Sequence, residues 1–69
     1  MFTMQMLIDN IREAISKAGI KQKALAEKIG RSEQDMSNML NGRANITPID
    51  LARMASVLNV DVNVFYKLR

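Results

Sequence analysis

The sequence predicts an all-α fold, a compact bundle of five short helices around one core. Three observations lead there. Apolar residues recur at steps of three and four along most of the chain, the spacing that gathers side chains on one helix face. The periodic stretches end at glycine or asparagine, and two of them open on a Ser or Thr with Asp three residues on. Alternation of apolar and polar residues is confined to the brief stretch from Val60 to Phe65, so strands find little support.

The first helix is expected from Met4 to Ala18, with Leu7, Ile8, Ile11, Ala14, Ile15 and Ala18 on one face. Glu13 precedes Lys17 by one turn, the favourable order for an ion pair. Gly19 stops this helix because it tolerates a left-handed backbone. The second helix should run from Lys21 to Ile29, turn Leu25, Ala26 and Ile29 inward, and stop at Gly30. The third opens at Ser32, whose hydroxyl can cap free N–H groups, with Asp35 as capping-box partner. It reaches Leu40 before the turn dipeptide Asn41-Gly42.

A polar loop, Arg43 to Ile46, leads to Thr47-Pro48-Ile49-Asp50, a second capping box with proline at the first helical position. The fourth helix then presents Leu51, Ala52, Ala55 and Leu58 to the core. Asn59 takes the left-handed cap, and Asp61 caps a short fifth helix holding Val62, Phe65 and Tyr66. Met36, Met39 and Met54 fall at core spacing, where their pliable side chains fill gaps. Connections of two to six residues bind these pieces into one domain, residues 1–69.

Composition narrows the function classes. With no cysteine and no histidine, the chain has no disulfide, no thiolate or imidazole metal site, and no nucleophile–base pair built on either. The carboxylates are scattered and no phosphate-cradling glycine loop is present, so neither an enzyme nor a cofactor is indicated. No apolar run approaches a membrane span, and the N-terminus lacks the plan of a signal peptide. The net charge of +3 is concentrated. Between Lys17 and Arg43 lie six basic residues and three acidic ones, while the flanks cancel. A basic middle suits a polyanionic partner.

The segment Gln22 to Leu40 carries the chemistry. Two helices joined at a steep angle through a short turn need a small residue where they approach, and Ala26 supplies it. The turn needs a positive φ, and Gly30 supplies that four residues later. Leu25 and Ile29 on one helix and Met36 and Met39 on the next make the seam. Joined with Met39-Leu40-Asn41-Gly42-Arg43 and with Leu51-Ala52-Arg53-Met54-Ala55-Ser56-Val57-Leu58-Asn59-Val60, this pattern resembles the phage repressor and Cro-like (XRE-type) helix-turn-helix regulators from Leu7 to Tyr66.

That resemblance implies a lambda-repressor-like DNA-binding domain with its motif at residues 22–40 and a recognition helix at about 33–40 in the major groove. The positions that match base-reading ones are Glu33, Gln34, Ser37 and Asn38. An amide such as Gln34 or Asn38 suits adenine, whose N7 and N6 offer one acceptor and one donor. Gln22, Ser32, Asn41 and Arg43 match phosphate-contacting positions, with Lys21 and Lys23 near enough to add charge. Taken alone, the lysines read as solvated surface charges and the amides as an outer polar face.

The chain departs from the family at Arg31, where relatives often carry an apolar residue, and at Leu40, where a polar one is common and an exposed leucine is expected. Glu33 and Asp35 add two negative charges to the helix that should approach DNA. The implied partner is double-stranded DNA with a palindromic operator, bound by a weak homodimer through Val62, Phe65 and Tyr66. The implied setting is the cytoplasm, at the nucleoid, of a bacterium or phage-infected cell. The alternative is an antitoxin-like module that uses Leu40 and the C-terminal helix to bind another protein.

Overall fold

Helix punctuation in the sequence sets the architecture. A computed structural model describes residues 1–69 as α1 (Met4–Ala18), α2 (Gln22–Lys28), α3 (Glu33–Leu40), α4 (Pro48–Leu58) and a closing 3-10 segment (Val62–Tyr66). The five-helix expectation is thus corrected to four α-helices and one 3-10 segment. The cause is length: five residues lie between the Asp61 cap and an extended Lys67, and the closing bond runs from Val64 N–H to Asp61 C=O at 3.0 Å, the tighter 3-10 step.

Three of the four α-helices start on a side-chain cap, each contributing about 1 kcal/mol, while α2 opens at Lys21 without one. Thr3 Oγ1 accepts from Met6 N–H at 3.2 Å, and Ser32 Oγ from Asp35 N–H at 3.0 Å. At Thr47 the box closes fully: the hydroxyl accepts from Asp50 N–H at 3.1 Å and Asp50 accepts from Thr47 N–H at 3.1 Å. The Asp35 carboxylate makes no such return bond, so the box at α3 is half formed. The stops are equally regular. Gly30, Gly42 and Asn59 each take the left-handed backbone that reverses the chain after α2, α3 and α4.

The core draws on every element. Leu7, Ile11, Ala14, Leu25, Ala26, Ile29, Met36, Met39, Leu40, Leu51, Met54, Ala55, Leu58 and Phe65 form one cluster. Steps of three and four from Leu51 land on Met54, Ala55 and Leu58, so Ala52 faces solvent, against expectation. Ala18, the last residue of α1, is exposed although it lies one turn past the buried Ala14 on the same face. The α3–α4 connection is less polar than expected, because Ala44 and Ile46 pack against the core.

One buried polar side chain ties the ends of the chain together. Asn10 Nδ2 donates to Phe65 C=O at 2.9 Å and to Lys67 C=O at 2.8 Å, while its Oδ1 accepts from Arg69 Nη1 at 2.7 Å. Glu13, one turn on, gathers Lys17, Lys67 and Arg69 at 3.3–3.5 Å. The C-terminal residues are therefore held along α1.

Candidate nucleic-acid interface

The turn between α2 and α3 is built from backbone. Gly30 adopts φ 78°, its N–H donates to Glu27 C=O at 3.2 Å, and Arg31 N–H donates to Ala26 C=O at 2.9 Å. A Cβ on Gly30 would meet nothing closer than Arg53 Nη1 at 3.7 Å. The demand for glycine is therefore conformational and not steric. Ala26 is fully buried where α2 packs on α3, as the small-residue argument requires.

Two arginines from outside the motif hold its helix ends. Arg53 of α4 donates to Ile29 C=O at 3.2 Å, behind α2. Arg12 of α1 donates to Leu40 C=O at 3.0 Å, at the end of α3. Each places a positive charge where unpaired carbonyls leave a helix terminus negative. The motif is thereby fixed to α1 and α4 by polar bonds as well as by its apolar seam.

Arg31, the first departure from the family pattern, has a partner across the fold. Its Nε and Nη2 reach the two Asp50 oxygens at 3.0 and 2.8 Å, a bidentate pair. Asp50 is 2% exposed, and Thr47 Oγ1 also donates to it at 2.9 Å. Burial works to raise the Asp50 pKa, but the bonds from Arg31 and Thr47 outweigh it and hold the carboxyl below its ordinary value. The bond and the charge of Asp50 raise the Arg31 pKa in turn. Arg31 thus serves the junction of the turn with α4.

The outward face of α3 holds the residues expected to read bases. Glu33 and Gln34 are exposed, and Ser37 and Asn38 are half-buried one turn further on. Gln34 Nε2 donates to Asn38 Oδ1 at 3.1 Å, so the two amides form one unit. Asn41 Nδ2 donates to Ser37 C=O at 2.8 Å and reaches its hydroxyl at 3.3 Å. Asn41 therefore holds the end of α3, and Ser37 is engaged with it. Glu33 takes part in none of the four ion pairs.

The residues expected at phosphates fall into two groups. Ser32 caps the start of α3, and Arg43 follows its end, with its N–H on Asn38 C=O at 2.8 Å and its guanidinium unpaired. Lys21, Gln22 and Lys23 stand together at the start of α2, where Lys21 and Lys23 are exposed and Gln22 is half-buried. Packing of α2 on α3 joins both groups to one motif.

A helix-turn-helix family model, described as a helix-turn-helix domain, matches residues 10–65. The chain belongs to the helix-turn-helix domain family. No curated protein and no solved structure matches it. For a helix-turn-helix domain of this extent, DNA is the partner that the family suggests. No helix of the chain is long and apolar enough to cross a membrane.

Two expectations for this domain need correction. Leu40 is 3% exposed, packed in the core on the inner side of α3, so it offers nothing to a protein partner. Phe65 is 0% exposed, because the 3-10 segment turns it under α1 and α4, and it cannot line a dimer interface. Val62 and Tyr66 do remain at the surface, with Tyr66 stacked at a tilt on Phe2 at 5.6 Å between centroids. Sequence reasoning also missed Asn10, Arg12 and Arg53, whose partners are distant backbone carbonyls that leave no local pattern. The Arg31–Asp50 pair did leave a signal: an arginine at an otherwise apolar position calls for a buried acid elsewhere.

Proposed function

We propose that this helix-turn-helix domain is a sequence-specific double-stranded DNA-binding regulator of the phage repressor and Cro-like (XRE) type, acting as a repressor in the cytoplasm. α3 enters the major groove and presents Gln34, Asn38 and Ser37, with Glu33 at the edge of the same face. Lys21, Lys23, Arg43 and the polar groups of Gln22, Ser32 and Asn41 contact phosphates on either side.

The observation that carries this reading is the face of α3. Its inner side supplies Met36, Met39 and Leu40 to the core, and its outer side is wholly polar, with two amides that no fold contact requires. Three cations of the same motif make no ion pair: Lys21 and Lys23 at the start of α2, and Arg43 just after α3. One motif reads only a few base pairs, so two copies on a palindromic operator complete the site, weakly joined through Val62 and Tyr66. The antitoxin-like alternative loses Leu40, one of the two surfaces it relied on.

Selection from randomised duplexes tests the proposal. A palindromic consensus is expected, with log affinity falling by about 0.9 per phosphate contacted for each unit of log salt. Affinity indifferent to both sequence and salt would turn the assignment toward a protein partner.

A further inference from the structure

One carboxylate stands where three helix ends meet. Asp50 Oδ2 accepts from Thr47 N–H at 3.1 Å and from Thr47 Oγ1 at 2.9 Å, which closes the start of α4. The same carboxylate accepts from Arg31 Nη2 at 2.8 Å and from Arg31 Nε at 3.0 Å. Arg31 lies between the turn glycine and Ser32, the cap of α3. Its own N–H closes α2 on Ala26 C=O at 2.9 Å. A single side-chain pair thus joins the end of α2 and the start of α3 to the start of α4.

Packing leaves α3 in need of such a tie. The helix packs mainly on α2 and has little direct contact with α4. Ridges set into grooves fix a crossing angle only to within about 15–20°. Over the roughly 12 Å of an eight-residue helix, a tilt of about 15° moves each end by about 1.5 Å. Recognition needs its groups held to about 0.5 Å. At the far end of α3, Arg12 of α1 already holds Leu40 C=O at 3.0 Å. At the near end the anchor is Asp50, on a helix pinned by the buried Leu51, Met54, Ala55 and Leu58.

Resting on the DNA-binding reading above, we propose that Arg31 and Asp50 are positioning residues for DNA recognition, which set the angle of α3 in the groove without contacting a base or a phosphate. The Asp50 side chain is 4% exposed, so it has no surface to offer DNA. Arg31 spends its fork on that carboxylate, and the fork is what a lysine lacks.

The charges of the two residues make the proposal separable from electrostatics. Asp50→Asn removes a negative charge, and charge alone would tighten binding to every duplex. A lost angle weakens binding to the specific duplex only. Arg31→Lys keeps the charge and loses the two-pronged bond, so it changes geometry with the net charge held.

The experiment measures affinity of the full 69-residue chain for its selected duplex and for a random duplex, across a range of salt. Binding is read at temperatures where circular dichroism shows each variant folded, so lost stability does not enter. R31K and D50N should each weaken binding to the selected duplex by about tenfold and leave the random duplex and the salt slope as in wild type. R31K/D50N should be no weaker than the weaker single variant, the signature of one coupled pair. R31K decides the matter where D50N is too unstable to fold, because it retains an ion pair.

Wild-type affinity of folded R31K for the selected duplex would make the pair structural alone and overturn the proposal. So would R31M with a salt slope shallower by about one beside a D50N that binds as wild type, since Arg31 would then be a phosphate contact. Equal affinity of wild type for all duplexes would remove the inference and leave DNA binding standing. Binding to no duplex would remove both.

Discussion

The α2–α3 motif and the C-terminal 3-10 segment sit on the same core and are held in opposite ways. In the motif, apolar side chains at helical spacing do the inward work, and the polar side chains are left outside. At the C-terminus, one apolar side chain, Phe65, turns inward and a buried polar one holds the backbone beside it: Asn10 binds the Phe65 and Lys67 carbonyls while Val62, Val64, Tyr66 and Leu68 stay at the surface. The difference follows from helix length. An eight-residue helix such as α3 closes bonds within itself, has its end groups met by Ser32 and Arg12, and can turn a full apolar stripe inward. A five-residue 3-10 segment has too few internal bonds, so its carbonyls need a donor from elsewhere.

The largest effects should come from breaking the C-terminal lock. Phe65→Ala empties a fully enclosed site and should cost about 3–5 kcal/mol. That is a large share of the roughly 3–10 kcal/mol expected for a chain of this size. Asn10→Ala leaves two carbonyls without their donor and should cost about 2–3 kcal/mol. Urea denaturation followed by circular dichroism measures both. Losses under 1 kcal/mol would mean that the segment is an appendage, and the contrast with the motif would fail.

This contrast also explains what was legible in the sequence. The motif residues were readable because Ala26, Gly30 and the Leu25, Ile29, Met36, Met39 seam are fixed by local geometry, which recurs at set offsets. Helix starts at Thr47-Pro48 and Ser32 were readable for the same reason. Phe65 was misassigned because apolar content in a short segment does not say which side chain turns inward. That depends on where Asn10 anchors the backbone, 55 residues away. Arg12 and Arg53 were not singled out, since a bond to a carbonyl places no constraint on the residue type that carries it. At the candidate site, the identities of the α3 face were legible, whereas the bond from Gln34 to Asn38 required coordinates.

A middle-sized effect should come from the junction of the motif with α4. Asp50→Asn removes the bidentate charge pair and should cost about 2–3 kcal/mol at neutral pH. The same residue gives the fold an acid limit. A carboxyl whose pKa lies below its unfolded value of about 3.9 stabilises the fold fully above that value, and this contribution is lost as pH falls through the folded pKa. Glu13, lowered by Lys67, then Lys17 and Arg69, works in the same direction. Urea midpoints should thus be level from neutrality to about pH 5 and decline below it. In Asp50→Asn the decline should be shallower, and an unchanged decline would assign acid sensitivity to other groups.

A smaller effect, confined to the motif side, is expected for Arg43→Ala. The Arg43 guanidinium has no partner in the fold, so stability should hold. The slope of log affinity for duplex DNA against log salt should become shallower by about one per subunit. A changed denaturation midpoint with an unchanged salt slope would place Arg43 among structural residues instead.

The smallest effect on stability should come from the outer surface of the C-terminal segment, and it sharpens the comparison most. Tyr66 is 48% exposed and rests on Phe2, and Val62, in the same segment, is 37% exposed. Neither is enclosed as Phe65 is, so Tyr66→Ser and Val62→Ser should each change stability by at most about 0.5–1 kcal/mol. Their effect should appear in assembly. If this surface joins two copies on a palindromic operator, sedimentation with duplex should give two subunits for wild type, and a lower second-site occupancy for either variant. Binding to a single half-site should be unchanged, because α3 is untouched. Phe65→Ser cannot serve in this test, since it would unfold the lock before it reported on the interface. Full two-subunit occupancy in the Tyr66→Ser, Val62→Ser double variant would move the dimer contact off the C-terminal segment and leave its exposed apolar residues as cover for the Asn10 lock alone.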